Sequence, residues 1–243
     1  MNNMYKDKVV LITGTSRGVG LSIAKYFLHN GAIIIGLSRG ENSNLSHPNY
    51  FHFSVDLGNA ESVINCFKKE ISKQFKTIDI VINNAAVMTS QYSMIMPLKN
   101  ALDMVNTNLL GVFIVSRESS KLMRSNSPSR IINIGSMASS LEPIGDSVYA
   151  ATKAGIISLA NVMAKEFSSM NITCNTLAIT AIDTDMLRSH NDTAQDKIKE
   201  IITTMPVPRF AYIDDILNVI DFFASERSSY ITAQTIYLGG IKQ

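Results

Sequence analysis

A glycine-rich turn that directly follows an apolar run most restricts what this chain can fold into. Residues 9–12 are apolar, and Thr-Gly-Thr-Ser-Arg-Gly-Val-Gly follows at 13–20. In this order a buried strand enters a turn whose glycines let the backbone approach a pyrophosphate, and a helix opens with unpaired amides facing that anion. The helical pattern stops at residues 30–31, Asn-Gly, a typical C-terminal cap. The segment therefore predicts the first half of a nucleotide-binding βαβ unit.

The second strand of that unit indicates which dinucleotide it would take. Residues 32–37 are continuously apolar, as expected for a parallel strand covered on both faces. NAD-dependent folds place an acid after this strand for the ribose 2′-hydroxyl, whereas NADP-dependent folds need a cation for the 2′-phosphate. This chain has Ser38 and Arg39 there and no acid until Glu41, and Arg17 in the turn adds a second guanidinium. The pattern favours NADPH over NADH; the alternative is that both arginines are solvated surface residues.

Composition excludes several other classes of function. The chain has 243 residues, 46% of them apolar, and a net charge of only +2 with dispersed basic residues, which argues against a nucleic-acid-binding surface. Cys66 and Cys174 stand apart without paired spacing, so we expect two core thiols and neither a disulfide framework nor a zinc site. The histidines are too scattered to form a metal site; they are His29, His47, His52 and His190.

The chain shows no sign of export or of membrane insertion. Residues 1–8 are polar and lack a signal-peptide core, and no apolar stretch approaches the length of a membrane span. We therefore expect a soluble, cytoplasmic protein without a membrane partner.

Strand-like apolar runs and amphipathic helical patterns alternate along the chain, which predicts one doubly wound, Rossmann-type α/β domain over residues 1–243. Seven parallel strands are predicted at 9–12, 32–37, 50–56, 78–84, 130–136, 172–178 and 235–238. Later helices are predicted at 60–75, 98–124, 147–168 and 213–224. Ligands of such sheets bind outside the carboxyl ends of the strands. Asp56, the run 83–86 and Ser136 lie at these ends.

Tyr149 and Lys153 form the predicted catalytic pair. They lie four residues apart near the start of a helix, so the two side chains share one face. A neighbouring cation lowers the pKa of a tyrosine by favouring the phenolate. Ser136 ends the preceding strand, and the intervening loop is long enough to bring its hydroxyl beside Tyr149. The three residues would polarise and protonate a carbonyl group beside a bound hydride carrier.

Together these motifs resemble the classical short-chain dehydrogenase/reductase family over nearly the whole chain. The resemblance implies that Tyr149 donates a proton to the substrate carbonyl oxygen, which Ser136 orients. Lys153 would lower the tyrosine pKa and hold the nicotinamide ribose, and Asn108 would keep a water in a relay to the lysine. The residues implied in NADP(H) binding are Gly14, Ser16, Arg17, Gly18, Val19, Gly20, Ser38, Arg39, Asp56, Leu57, Asn84, Ala85, Ala86, Tyr149, Lys153, Ile182 and Thr184.

Two short segments beside the expected nicotinamide depart from the family pattern. Ile179 and Thr180 replace the usual Pro-Gly pair, and Ala86 replaces the glycine of Asn-Asn-Ala-Gly. The flanking residues still match, namely Asn175, Asp183, Thr184 and Met186. We expect altered fit or loop mobility with cofactor binding retained. The alternative from another class is an NADP-binding regulator without turnover.

Within the family the chain is most similar to the 3-oxoacyl carrier-protein reductases. The motifs that carry this similarity lie at 13–20, 130–136, 206–210 and 228–232. It implies reduction of a 3-oxoacyl thioester held on acyl carrier protein or coenzyme A; the alternative is another ketone or alcohol, of a sugar or a secondary metabolite. Those enzymes dock the acidic carrier through basic residues, whereas the corresponding places here hold Ser127 and Met170. Arg124 and Arg130 could substitute.

Two loops are expected to face the substrate, at 87–98 and 181–206. Their flexible apolar side chains could line an adaptable pocket, although a single loop methionine more often fills a gap in the core. These side chains are Met88, Met94, Ile95, Met96, Met186, Leu187 and Met205. The stretch at about 180–208 would act as a lid. By resemblance, the helices at 98–124 and 147–168 would mediate self-association into a homo-oligomer, a dimer or homotetramer.

Overall fold

A parallel sheet of seven strands organises the part of the chain that the computed structural model describes, residues 4–40, 45–124, 127–182 and 200–240. The strands are β1 Val9–Thr13, β2 Ile33–Ser38, β3 Tyr50–Ser54, β4 Ile80–Asn83, β5 Ser129–Ser136, β6 Ile172–Ile179 and β7 Thr235–Tyr237. Their order across the sheet is β3-β2-β1-β4-β5-β6-β7, and every pairing is parallel. This confirms the predicted doubly wound α/β architecture.

The helices follow the predicted pattern with two interruptions. They are α1 Gly18–His29, α2 Ala60–Cys66, α3 Ser72–Gln74, α4 Leu98–Val105, α5 Gly111–Ser120, α6 Ala138–Leu141, α7 Ser147–Glu166 and α8 Ile213–Ala224, with 3₁₀ turns at Ser93–Ile95, Ser168–Met170, Glu226–Ser228 and Leu238–Gly240. π-Helical turns at Phe67–Ile71 and Asn106–Leu110 join α2 to α3 and α4 to α5, where continuous helices were expected. Across the described ranges, no helix is long and apolar enough to cross a membrane.

Apolar side chains cover both faces of the sheet. Along β1, Val9 and Leu11 belong to one buried cluster and Val10 and Ile12 to another, as the alternation of side chains in a strand requires. Each fully buried aliphatic side chain of this kind contributes about 2 kcal/mol to stability. Cys66 and Cys174 are both buried in the first of these clusters, which confirms the expectation of two core thiols.

The sheet reverses its strand order next to β1, and a crevice opens there. β1 lies between β2 and β4, so the chain first runs outward to β3 and then returns to the other side of β1. Thr13, at the end of β1, holds the loop after β4 in place: its hydroxyl oxygen accepts hydrogen bonds from the backbone N–H groups of Asn84 (3.0 Å) and Ala85 (2.9 Å). Ligands of open α/β sheets bind at such a point.

Gly20 lets α1 pack against the turn at the end of β1. A Cβ atom at this position would lie 2.2 Å from the carbonyl oxygen of Gly14 and 2.5 Å from Asn84 Nδ2. Neither neighbour can withdraw easily, because one is backbone and the other donates to the Thr13 carbonyl oxygen at 3.0 Å. Gly20 is therefore required by packing between helix and strand.

We expect Gly20→Ala to lower the free energy of unfolding by about 3 kcal/mol, because the methyl group has no space. Urea denaturation measures this change. Gly18→Ala is the matched control: Gly18 has φ +58° but its Cβ position is open, so only the left-handed strain of about 1 kcal/mol is expected. Equal stability of Gly20→Ala and the wild type would contradict the packing argument.

Two of the motifs shared with the carrier-protein reductases, at 206–210 and 228–232, make contacts that stabilise the fold. Arg209 donates from both terminal nitrogens to the Asp215 carboxylate, at 2.7 and 3.0 Å, and so anchors the first turn of α8. In the second motif, the Thr232 hydroxyl accepts a hydrogen bond from the Cys174 N–H at 3.1 Å, which ties the segment before β7 to β6. Both contacts lie within the framework that supports the crevice.

Candidate active site

A cleft of about 930 Å³ lies at the carboxyl ends of the strands. Most of the residues expected to bind the cofactor or to react line it: Gly14, Ser16, Arg17, Gly18, Val19, Ser38, Arg39, Asp56, Leu57, Asn84, Ala85, Ala86, Ser136, Tyr149, Lys153 and Ile182. Gly20 and Asn108 are buried behind the lining. Thr184, Asp183 and Met186 lie outside the described residues, as does most of the expected lid.

Strand β5 and helix α7 bring Ser136, Tyr149 and Lys153 together. Ser136 is the last residue of β5, and its hydroxyl oxygen accepts a hydrogen bond from the Ala138 N–H at 3.1 Å. Tyr149 and Lys153 lie in the first two turns of α7, with Lys153 Nζ 5.8 Å from the centre of the phenol ring. Lys153 Nζ also donates to the Ile134 carbonyl oxygen at 2.8 Å. The predicted trio is thus assembled in one cleft.

Burial shifts the pKa values of Tyr149 and Lys153. Removal from water raises the pKa of the Tyr149 phenol, hydrogen bonding with Ser136 acts in the opposite direction, and the negative charge of Asp146 raises it further. Burial likewise lowers the pKa of the Lys153 ammonium to about 8. The expectation that Lys153 sets a lowered tyrosine pKa was therefore wrong for the protein without its ligands, because desolvation dominates. In this state the phenol keeps its proton, as a proton donor must.

Asn108 connects the loop after β4 to α7. It lies in the π-helical turn between α4 and α5 and is almost completely buried. Its side-chain amide exchanges two hydrogen bonds of 2.8 Å with the backbone of Val87 and donates to the Thr152 hydroxyl at 3.3 Å. The side chain therefore fixes the backbone beside the cleft. Its role in a water relay stays a prediction.

The turn after β1 and the end of β2 have the features of a phosphate and ribose site. Gly18 has φ +58°, and a Cβ atom built there would meet nothing within 4 Å, so its backbone borders open space. The Ser38 hydroxyl is buried and has no hydrogen-bond partner among the described residues. Arg17 and Arg39 are exposed on the cleft lining and pair with no described carboxylate. These residues fit the phosphates and ribose of a dinucleotide.

The opposite end of the cleft is formed by two loops that bind each other. The Gln91 N–H donates to the Gly145 carbonyl oxygen at 2.8 Å, and the Ser93 and Ser147 hydroxyls are 2.9 Å apart. Sequence reasoning identified only the first of these loops. It missed the second, whose cleft-lining residues are Pro143, Ile144, Gly145 and Asp146. Pro143, Gly145 and Asp146 are turn-forming residues and are the signal that the sequence offers there; Gly145 takes φ +95° in the structure.

Some expectations for the substrate loops and for carrier docking were wrong. Met88 and Ile95 line the cleft, but Met94 is 96% exposed. Met205 is buried beside Gly239, which agrees with the alternative that a loop methionine fills a gap in the core. Arg130 cannot dock a carrier protein on the surface, because it is 2% exposed and donates to the carbonyl oxygens of Ser129 and Ser225. It lies at the start of β5, where it pairs with Ile80 of β4 on one side and Thr173 of β6 on the other.

Among the described residues, no group of His, Cys, Asp or Glu side chains could hold a metal ion.

The residues that depart from the family pattern, Ile179, Thr180 and Ala86, all line the cleft. Thr180 is buried, and its methyl group lies 3.0 Å from the position a Cβ atom would take on Gly239. The replacement for the usual Pro-Gly pair is therefore packed into the framework beside the cleft.

Comparisons with known proteins agree with this geometry. The 3-oxoacyl-[acyl-carrier-protein] reductase FabG of Escherichia coli K12 is 32% identical, with 97% of each chain covered, and the Staphylococcus aureus Mu50 protein of the same name is 32% identical with 98% of each chain covered. Among solved structures, the aldohexose dehydrogenase of Thermoplasma acidophilum matches with a TM-score of 0.86 at 26% identity, covering 97% of this chain and 94% of that one. A short chain dehydrogenase from Leptospira borgpetersenii with bound NAD⁺ shares the fold (TM-score 0.85, 23% identity, 98% and 94% covered).

The family model described as short chain dehydrogenase matches residues 8–195, which include the glycine turn, the strand ends and the Ser-Tyr-Lys trio. These are the same segments that form the cleft. The chain therefore belongs to the short chain dehydrogenase family, whose members use a nicotinamide cofactor to interconvert carbonyl and alcohol groups.

Proposed function

We propose that this protein catalyses the NADPH-dependent reduction of a 3-oxoacyl thioester to the 3-hydroxyacyl thioester. The observation that carries the proposal is the convergence of Ser136, Tyr149 and Lys153 in one cleft with an apolar substrate end. The substrate class is supported by the two relatives named as 3-oxoacyl-[acyl-carrier-protein] reductases, which match this chain over nearly its full length.

Each member of the trio has a role that its geometry permits. The substrate carbonyl oxygen would accept hydrogen bonds from Ser136 and Tyr149, and the Tyr149 phenol would donate its proton to that oxygen as the alcohol forms. Lys153, buried beneath the phenol, would donate to the ribose hydroxyls of the cofactor. When bound, the nicotinamide supplies the hydride that the carbonyl carbon receives. The loops at the far end would exclude water from the reacting carbonyl.

The choice of NADPH over NADH is assigned to Arg17, Ser38 and Arg39. The two guanidinium groups can form charge-assisted hydrogen bonds to a 2′-phosphate, and the Ser38 hydroxyl has unused hydrogen-bonding capacity beside them. A 2′-hydroxyl in place of the phosphate would leave the arginines without an anionic partner.

We expect Arg39→Ala to raise the Kd for NADPH ten- to a hundredfold and to change the Kd for NADH less than threefold, because only NADPH carries the 2′-phosphate. Fluorescence titration of both dinucleotides measures the two constants. Lys165→Ala, an exposed lysine at the end of α7 that does not line the cleft, is the control for loss of a surface charge. An equal loss of affinity for both dinucleotides would contradict the assignment.

The proposed reaction is tested by following NADPH oxidation with an acetoacetyl group presented on coenzyme A and on acyl carrier protein. We expect turnover of at least one thioester and little turnover with NADH. Tight NADPH binding without turnover of either thioester would exclude this substrate class. A preference for the carrier-protein substrate would require a docking surface other than Arg130, which is buried.

We also propose a homo-oligomer. Large apolar side chains are exposed along α4, α5 and the π-helical turn between them, and on α7; they are Leu98, Leu102, Val105, Leu110, Phe113 and Val162. Burial of such a face against a second copy is the usual way to remove it from water.

Two buried, unpaired thiols are compatible with the cytoplasm, which we propose as the compartment.

A further inference from the structure

Strand β3 presents three polar side chains to the turns at the nucleotide end of the cleft. Tyr50, His52 and Ser54 are alternate residues of β3, so their side chains lie on the same face of the sheet. Each of them lies within hydrogen-bonding distance of a residue that follows β1 or β2. None of the three lines the cleft. They form a layer behind the segments that carry Arg17 and Arg39.

Two of these side chains hold the backbone next to Arg39. β2 ends at Ser38. Beyond that point the Ser54 hydroxyl donates to the Arg39 carbonyl oxygen at 3.3 Å, and His52 Nε2 donates to the Gly40 carbonyl oxygen at 2.7 Å. A carbonyl oxygen can only accept, so Nε2 carries the ring hydrogen in the neutral imidazole. The two contacts fix two consecutive peptide groups on the carboxyl side of Arg39, and His52 makes the shorter of them.

Tyr50 connects the histidine to the glycine turn. Its ring is nearly parallel to the His52 ring, with the centroids 6.3 Å apart and an angle of 17° between the planes. Its phenol oxygen lies 2.8 Å from the Thr15 hydroxyl oxygen. Gly36 leaves space for the phenol, because a Cβ atom there would lie 2.3 Å from the Tyr50 hydroxyl oxygen. The His52 ring is therefore supported by a side chain that is itself bound to the turn after β1.

Arg39 needs such support to select one dinucleotide over another. Its side chain is exposed and pairs with no described carboxylate. A long side chain on a mobile backbone loses conformational freedom when it binds an anion, and this loss weakens binding. A backbone that is already held in the protein without ligands avoids part of the loss. NADH has no 2′-phosphate and would gain little from it.

We infer that His52 is a positioning residue for NADPH: its hydrogen bond to the Gly40 carbonyl oxygen holds Arg39 at the cleft and raises the affinity for a dinucleotide with a 2′-phosphate. The inference rests on the proposed function, which assigns that phosphate in part to Arg39. It predicts that a hydrogen-bond donor is required at the position of Nε2 and that an aromatic ring without a donor is insufficient.

The test compares two substitutions of the histidine. His52→Phe keeps an aromatic ring but has no donor, whereas the side-chain amide of His52→Gln can donate from nearly the same place. We expect His52→Phe to lower the ratio of the Kd for NADH to the Kd for NADPH about fivefold, which corresponds to the loss of one hydrogen bond. His52→Gln should keep this ratio within about twofold of the wild-type value, because it restores the donor.

Fluorescence titration of NADH and NADPH measures these constants. His29→Phe is the matched control, because His29 is exposed at the end of α1 and does not line the cleft; its ratio should equal that of the wild type. An unchanged ratio in His52→Phe would overturn the inference. So would an equal change in His52→Gln or in His29→Phe.

Proteolysis keeps the inference separate from the proposed function. Trypsin cleaves after arginine, so cleavage between Arg39 and Gly40 in the protein without ligands reports how often this segment opens. We expect about fivefold faster cleavage there in His52→Phe than in the wild type, with no change after Lys25 in the middle of α1. If the wild type binds NADH and NADPH equally tightly, the proposed cofactor fails while this measurement still tests His52. Equal rates of cleavage after Arg39 in both proteins would overturn the inference.

Discussion

Tyr149→Phe should lower kcat for ketone reduction about a thousandfold and leave the Kd for NADPH within threefold of the wild-type value. The substitution removes only the hydroxyl, and with it the proton that the substrate oxygen would receive; general acid catalysis of this kind contributes about a hundred- to ten-thousandfold. The ring still fills its place on α7 beside Ser136 and Lys153. Single-turnover kinetics with acetoacetyl-coenzyme A measures the chemical step directly.

Two controls separate loss of the proton donor from a general structural effect. Tyr230→Phe makes the same chemical change on a side chain that is 99% exposed and does not line the cleft, so it should leave kcat unchanged. The thermal unfolding temperature of Tyr149→Phe should match that of the wild type. A Tyr149→Phe protein that keeps more than a tenth of the wild-type kcat would show that another group supplies the proton.

Lys153→Met should abolish most activity and yet make the protein without ligands more stable near neutral pH. Burial lowers the lysine pKa to about 8, so the folded state carries an ammonium at a cost of about 3 kcal/mol at pH 7. The variant avoids this cost, but its Ile134 carbonyl oxygen loses a hydrogen bond from Lys153 Nζ, which lowers the stability of the variant by about 1 kcal/mol. We expect a net increase of about 2 kcal/mol in the free energy of unfolding.

The same substitution has a definite pH dependence. Between about pH 8 and 10.5 the unfolded chain binds the lysine proton and the folded protein does not, so wild-type stability rises with pH across this window. The advantage of Lys153→Met should therefore be largest below pH 8 and disappear toward pH 10.5. Urea denaturation at several pH values, with Lys165→Met as the exposed control on the same helix, measures the difference. A stability difference that does not vary with pH would contradict the buried-charge argument.

Local sequence patterns predicted the framework and most of the site because they depend on short-range geometry. A strand, a glycine turn and a helix follow one another at residues 9–29, and the spacing of Tyr149 and Lys153 is one helical turn in any context. Boundaries were less accurate: the π-helical turns within the helices at 60–75 and 98–124 were not predicted. π-Helical turns occur as single turns inside α-helices, so the helical pattern of the sequence does not distinguish them.

Residues that act through distant partners could not be interpreted correctly from the sequence. Arg130 reads as a surface cation, but its strand is covered on both faces and its guanidinium contacts Ser225, 95 residues away. The packing role of Gly20, whose missing Cβ is required by Gly14 and Asn84, could not be derived from the glycine spacing, and its role in cofactor binding stays a prediction. Exposure and close approach of this kind are properties of the assembled layers.

The sequence by itself thus determined the order of the elements, the strand ends that border the cleft and the identity of the Ser136, Tyr149 and Lys153 trio. Only the tertiary structure decided how these groups are charged. It placed Asp146 in the wall of the cleft and raised the pKa of Tyr149 where its spacing from Lys153 predicted a lowered value. The physical reason is that desolvation sums over every element packed around a side chain, whereas spacing along a helix records only that helix.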